Sequence, residues 1–190
     1  MRSRTGTQVL AGIVILAVVL ALFYALLSNS RITAGIRLVE KSGGAVGVSS
    51  SLLGCPTQVT FRISGQQPLL SDDSLARIIE LLPCIENLDI SGTLITDKGL
   101  SAIRGLSGLE VLDISATPIS NNGIAVLADL PEIRDLNLEG TQIDDGSVQY
   151  LKNMSRLKQL RIKDTGLSTS GLSMLRQALP MTNIIDSPTQ

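Results

Sequence analysis

The chain has 190 residues, room for one domain, and its 16 Lys and Arg against 17 Asp and Glu give a formal net charge of −1. This balance excludes a dominant basic surface that tracks phosphates, so nucleic acid is not expected as a partner. The chain has no histidine, the commonest general base and a frequent metal ligand. We therefore expect no catalytic residues, no metal site and no cofactor.

An apolar run at residues 9–27 follows a short N-terminal tail, residues 1–8. The run contains no charged residue and accounts for the high mean hydropathy of +0.31. As a helix it would span about 28 Å, close to the hydrocarbon thickness of a bilayer. We expect a single-pass transmembrane or signal-anchor helix that contacts the lipid bilayer.

The charges on either side of this run leave its orientation open. Arg2 and Arg4 precede it, and Arg31, Arg37 and Lys41 follow it. The free amino terminus adds to the leading pair, which favours an extracytoplasmic position for the rest of the chain. A cleaved signal peptide is the alternative, with residues 28–30 as a weak cleavage site, although the run exceeds the usual signal-peptide core. Both alternatives export the same domain.

A capping segment at residues 31–58 comes next. Ile32, Ile36 and Val39 have the spacing of one helical face, and the glycines at 43–44 end that helix. A strand is expected at 45–48, and the first strand of the main sheet at 60–63. This segment would cover the apolar N-terminal end of the domain.

Residues 59–190 contain a repeat of 24 residues, and its period is constant. The shift relates four leucines, Leu88, Leu112, Leu136 and Leu160, and it likewise relates four threonines, Thr93, Thr117, Thr141 and Thr165. Short alternating triplets such as Leu88-Asp89-Ile90 predict strands. One strand and one short helix cannot bury a core alone, so successive units must stack into a solenoid. We expect parallel strands on the concave side and short helices on the convex side.

Polar residues stand where each helix should begin, and we interpret them as caps: Asp72-Asp73, Thr96-Asp97, Ser120-Asn121, Asp144-Asp145 and Ser168-Thr169. The adjacent carboxylates are therefore assigned to capping rather than to acid–base chemistry. The threonine column is interpreted as structural, with its hydroxyls bridging successive turns.

The sequence IENLDISGTLITDKGL at 85–100 resembles the LxxLxLxxTxITDxGLxxL pattern of bacterial leucine-rich repeat proteins of the type common in planctomycetes. Many proteins similar to it carry an N-terminal signal or anchor helix and then a segment like Lys41-Ser42-Gly43-Gly44. The resemblance covers roughly residues 31–185. It implies an α/β leucine-rich repeat solenoid preceded by one transmembrane helix, and it carries over no catalytic residues. The third repeat departs from the pattern, because Gly146 is shifted by one position.

Cys55 and Cys84 are the only cysteines, and each lies a few residues before a predicted strand in units that stack directly. In an oxidising exported setting a disulfide and a pair of buried free thiols are both compatible with this placement, and the sequence leaves the two alternatives open. Two thiolates without histidine do not complete a zinc site.

The outward-facing strand positions are the candidate partner-binding residues: Arg62, Asp89, Asp113, Asn137 and Arg161 in a central column, with Glu110, Arg134 and Lys158 beside it. This face is acidic in the middle and basic toward the C-terminal end, which suits a protein or peptide partner. Charged residues on a strand face are also commonly just solvated. Two functions remain open: a non-catalytic, membrane-anchored binding module, or a structural or self-associating component of the cell envelope without a specific ligand.

Overall fold

The computed structural model describes residues 30–47, 56–61 and 70–186. The predicted transmembrane run at 9–27, Cys55 and Arg62 lie outside these residues. Among the described residues, no helix has both the length and the apolar character needed to cross a bilayer.

One seven-stranded sheet runs through the described residues, with the strands in chain order. The strands are β1 (Gly44–Gly47), β2 (Gln58–Phe61), β3 (Asn87–Asp89), β4 (Val111–Asp113), β5 (Asp135–Asn137), β6 (Gln159–Arg161) and β7 (Asn183–Ile185). The helices are α1 (30–41), α2 (Asp72–Leu81), α3 (Asp97–Leu100), α4 (Asn121–Leu127), α5 (Val148–Leu151) and α6 (Thr169–Ala178), with 3-10 turns at Ser101–Gly105 and Asp145–Ser147. From α2 to α6, neighbouring coils place their helices in contact.

The predicted parallel ladder is confirmed. From β2 to β7 each strand pairs in parallel with the next, and Leu88, Leu112, Leu136 and Leu160 stand directly opposite one another. Each of these leucines is at most 1% exposed. Every coil adds its inward side chains to one continuous apolar core, so the coils depend on their neighbours for burial.

The N-terminal end of the sheet is covered by the cap predicted from the sequence. Strand β1 pairs antiparallel with β2, and Val39 of α1 is completely buried. Helix α1 approaches so closely that a Cβ at Gly35 would lie 2.7 Å from Leu82 Cγ.

The first strand of the parallel ladder begins two residues earlier than predicted, at Gln58 rather than Thr60. The register places Thr60 beside Asp89, so Thr60 occupies the column position that the sequence had assigned to Arg62. Successive side chains of a strand point to opposite faces of the sheet, so a shift of two residues leaves every inward residue inward and every outward residue outward. The alternation alone could not detect this shift.

The helix caps predicted at Thr96, Ser120, Asp144 and Ser168 are confirmed, but α2 is capped by Ser71 and not by the predicted Asp72-Asp73. The threonine column is structural in a different way from the prediction. Thr96, Ser120, Asp144 and Ser168 are N-caps whose side chains accept backbone N–H bonds. Each column threonine donates its hydroxyl to the carbonyl three residues earlier, as Thr117 does to Ile114 and Thr141 does to Leu138. The hydroxyls therefore close the turn of their own coil and do not bridge to the next coil.

Candidate binding surface on the open sheet face

The outward side chains of β2 to β7 form the face of the sheet that is turned away from the core. We call it the open sheet face, and it is the face that the sequence predicts to be concave. Its central column follows the strand register: Thr60, Asp89, Asp113, Asn137, Arg161 and Ile185. The column side chains are partly exposed, so they are accessible to a partner.

Three column residues also bond the turn that follows their strand. Asp89 Oδ1 accepts bonds from the Ser91 backbone N–H (3.0 Å) and hydroxyl (2.7 Å), and Asp113 does the same with Ser115 (2.9 and 2.6 Å). The Glu139 N–H donates to Asn137 Oδ1 at 3.1 Å. Such bonds from a side chain to the backbone two residues on stabilise turns. One oxygen of each residue is thus occupied by the fold, a role that the sequence interpretation missed.

The second carboxylate oxygens of Asp113 and Asp89 differ in their bonding. Asn137 Nδ2 donates to Asp113 Oδ2 across the strands at 2.9 Å. Asp89 Oδ2 has no hydrogen-bond partner in the part of the chain that the structure describes, and its carboxylate retains acceptor capacity. Hydrogen bonds within the fold therefore hold these column residues in place and leave part of their hydrogen-bonding capacity unused.

The flanking candidates Glu110, Arg134 and Lys158 lie one residue before their strands and continue the ladder. The N–H of Glu110 donates to the Glu86 carbonyl, that of Arg134 to Glu110, and that of Lys158 to Arg134, over 2.7 to 2.8 Å. Glu110 and Arg134 also form an ion pair of 3.1 Å in which both side chains are about 40% exposed. The charge of the side chains on the open sheet face changes from negative to positive at this pair.

Charge is segregated on either side of that pair. The acidic half comprises the carboxylates of the coils of β3 and β4, namely Glu86, Asp89, Glu110 and Asp113. The basic half comprises Lys158, Arg161 and Lys163 of the β6 coil, and Lys163 also contacts the exposed Asp164 at 3.5 Å. These acidic and basic side chains of the face therefore lie in different coils.

A shallow depression of about 260 Å³ lies in the acidic half, lined by residues that include Thr60, Asn87, Asp89, Val111 and Asp113. Small-molecule sites usually occupy roughly 300–1,000 Å³ and are well enclosed. This depression is smaller, so its size suits a single side chain of a larger partner.

A second set of polar side chains, three Asp and one Asn, lies where the helices begin. Each first-turn Asp or Asn reaches the N-cap residue of the following coil. Asp72 accepts from Thr96 N (2.9 Å) and Oγ1 (2.6 Å), and Asp97 accepts from Ser120 N (2.9 Å) and Oγ (2.5 Å). The same joints recur from Asn121 to Asp144 and from Asp145 to Ser168. We call these four contacts the capping ladder.

The glycine three residues after most caps is explained by this ladder. A Cβ added at Gly99 would lie 2.2 Å from Asp72 Oδ1, and one at Gly171 would lie 2.2 Å from Asp145 Oδ1. The carboxylate of one coil therefore occupies the space that a side chain would need in the next. In the third unit the buried Ser147 stands at this position and the local turn is 3-10. The sequence carried this signal as a glycine three residues after the cap, at positions 99, 123 and 171.

Asp144 combines a cap with a rung of the ladder, and its pKa is lowered from the usual 3.8. The backbone N–H of Gly146 is the main cause, and the side-chain amide of Asn121 adds to it. Both donors favour the ionised carboxylate.

The structure records Cys84 as disulfide-bonded. Its Sγ lies 3.5 Å from the carbonyl oxygen of Pro56, the residue that follows Cys55 in the sequence. Because Cys55 lies outside the described residues, the Cys55–Cys84 pairing stays a prediction. Within 30–47, 56–61 and 70–186, no three His, Cys, Asp or Glu side chains are grouped as metal ligands would be.

Comparisons with known proteins identify the fold. A family model described as a leucine-rich repeat matches residues 82–103. The leucine-rich repeat ectodomain of the receptor kinase SOBIR1 from Arabidopsis thaliana is 17% identical with a TM-score of 0.50, covering 83% of this chain and 91% of that one. No curated protein sequence matches.

Two bacterial structures are also similar over part of their length. A leucine-rich repeat protein of Leptospira interrogans is 20% identical with a TM-score of 0.43, over 57% of this chain and 27% of that one. An internalin of Listeria monocytogenes is 18% identical with a TM-score of 0.42, over 62% of this chain and 44% of that one. The chain thus spans less than half of either bacterial protein, and the resemblance to the planctomycete type stays a prediction.

Proposed function

We propose that this chain, a leucine-rich repeat protein, is a membrane-anchored, non-catalytic module that binds a protein or peptide on its open sheet face. Solenoids use their extended strand face as a binding surface. The observation that carries the proposal is a difference in hydrogen bonding between the two surfaces. The carboxylates of the capping ladder are hydrogen-bonded within the fold, whereas the open sheet face keeps acceptors and cations available.

The chemistry of the face favours a polypeptide ligand over a small molecule. The face is broad and polar, its depression beside Asp89 is small, and its charges are divided between two halves. None of the column residues is aromatic, so the concentrated hot spots of tight interfaces are lacking there. We expect an interaction of modest affinity, which clustering at a membrane would strengthen through multivalency.

Attachment to a membrane is proposed from the sequence alone, from the apolar run at 9–27 and its short distance to α1. The bonded state of Cys84 agrees with an oxidising, extracytoplasmic compartment. A C-terminal reporter fusion active only outside the cytoplasm tests this orientation. Thiol labelling of intact cells gives a second readout: label should enter only after reduction, whereas labelling without reduction, or a reporter active only inside, contradicts it.

The binding proposal is tested by selecting ligands from a multivalent random peptide library on the full chain in mild detergent. Val111→Arg places a long cation at the centre of the open sheet face, and Gln149→Arg adds the same side chain to the exposed surface of α5. We expect Val111→Arg to weaken the selected peptides at least tenfold and Gln149→Arg to leave them unchanged. Equal binding by both variants would contradict the proposal.

The alternative function is a structural or self-associating envelope component. It is supported by the β7 end of the sheet, where Met181 is 91% exposed and Ile184 is only partly buried. Light scattering of the full chain in detergent over a range of concentrations decides this point. A mass that rises with concentration and falls back with Met181→Lys would favour self-association through this end.

A further inference from the structure

We infer that the partner presents an extended peptide segment that crosses the strands, with a cationic side chain on the acidic half and an anionic side chain on the basic half. This inference rests on the proposed function and specifies its ligand. It follows from charge complementarity between such a segment and the two halves of the open sheet face.

The spacing of the charges sets the spacing in the ligand. Asp89 and Arg161 stand at equivalent positions of β3 and β6, three strand intervals apart in one continuous register. At about 4.8 Å per interval the two side chains are roughly 14 Å apart. An extended peptide advances about 3.3–3.6 Å per residue, so the complementary charges should be about four residues apart.

Each half offers groups that can take part. The depression in the acidic half is of side-chain size and has Asp89 and Asp113 at its rim, and Asp89 Oδ2 has no hydrogen-bond partner among the described residues. In the basic half, Arg161 has five N–H donors, and its neighbours Lys158 and Lys163 add positive charge. The Glu110–Arg134 ion pair between the halves is already neutralised.

A second copy of this chain would also be complementary in charge, but the area is too small. The six strands β2 to β7 at about 4.8 Å, each exposing about three residues, give a face of roughly 300 Å². A stable interface buries about 800 Å² on each partner. A crossing peptide needs far less area, so it is the occupant that the face fits.

The variants that test this inference can remove charge without removing the turns. Asn137 holds its strand end through Oδ1 at the position equivalent to Asp89 and Asp113. Asp89→Asn plus Asp113→Asn therefore keeps the turn acceptor and deletes two charges. Lys158→Gln plus Lys163→Gln is the matched pair in the basic half, and it spares Arg161.

The experiment uses peptides selected on the full chain from a 12-residue random library. We expect enrichment of Lys or Arg and Asp or Glu separated by three to five residues. The Asp pair of variants should weaken such a peptide three- to tenfold, and this loss should disappear when the cation of the peptide is replaced by Gln. The Lys pair should show the same dependence on the anion of the peptide.

The outcomes separate the inference from the function on which it rests. Selected peptides without the paired charges that still lose binding to Val111→Arg would overturn the inference and leave the proposed function standing. Peptides indifferent to Val111→Arg, or no enrichment at all, would overturn both. Weakening by the Asp pair that persists when the peptide cation is absent would also overturn the inference.

Discussion

The capping ladder and the open sheet face both carry Asp and Asn side chains that recur with the repeat, but these side chains have different roles on the two surfaces. In the ladder, Asp97 accepts two bonds from Ser120 in the next coil, and a Cβ on Gly123 would come within 2.5 Å of it. On the open sheet face, the Asp89 carboxylate hydrogen-bonds, among the described residues, to Ser91 of its own coil. A carboxylate that recurs with the repeat is therefore structural when the next coil occupies it, and available for a ligand when it does not.

The largest effect expected on the ladder side comes from Gly99→Ala. The added methyl would meet Asp72 Oδ1 at 2.2 Å and the Asp72 Cα at 3.0 Å, so the joint between the coils must open. We expect a loss of about 2–3 kcal/mol in the free energy of unfolding, in spite of the higher helix propensity of alanine. Gly108→Ala is the control, since nothing lies within 4 Å of its Cβ. Equal denaturation midpoints for the two variants would contradict the structural role of the ladder.

Asp97→Ala should have the next largest effect. It removes two acceptors and leaves the partly buried Ser120 N–H without its partner. We expect a loss of about 1.5–2 kcal/mol by urea denaturation and no change in affinity for the selected peptides. Asp89→Asn should reverse this pattern, with weaker binding and a stability change within about 0.5 kcal/mol. If the two variants affect the same property, the two regions do not differ in role.

Thr117→Val extends the contrast to the interior of the coils. The buried hydroxyl donates to the Ile114 carbonyl, and valine has nearly the same shape without the donor. We expect a loss of about 1 kcal/mol and unchanged peptide affinity. A threonine column that contacted ligand would instead lower affinity, which titration calorimetry would detect.

The smallest effect concerns pH. Because the pKa of Asp144 is lowered in the folded chain, its ionised form stabilises the fold above the unfolded value of 3.8. That contribution is lost as the pH falls through the folded pKa. Asp144→Asn should therefore have a thermal midpoint that depends less on pH below about 4 than the wild type. Parallel curves for the two proteins would contradict the assignment.

The sequence predicted the repeat, the strand positions and the caps because stacking imposes a strict period on buried residues such as Leu88 and Leu112. It misplaced the first strand because Thr60 and Arg62 share the outward parity. It assigned Asp72 to a helix cap, whereas Asp72 bonds the cap residue Thr96 of the next coil, and it did not predict that Asp89 also bonds Ser91. Their roles depend on which atoms of the neighbouring coil lie beside them, and no pattern within one unit records that.

Photo-cross-linking tests most directly whether the open sheet face binds the ligand while the capping ladder has a structural role. A selected peptide carrying a photoreactive residue is bound to the full chain, irradiated, and the attachment sites are found by mass spectrometry. We predict attachment to the strands and turns of β3 to β6, close to Asp89, Asp113, Asn137 and Arg161. Attachment along the helix starts, close to Thr96, Ser120 or Ser168, would contradict the account.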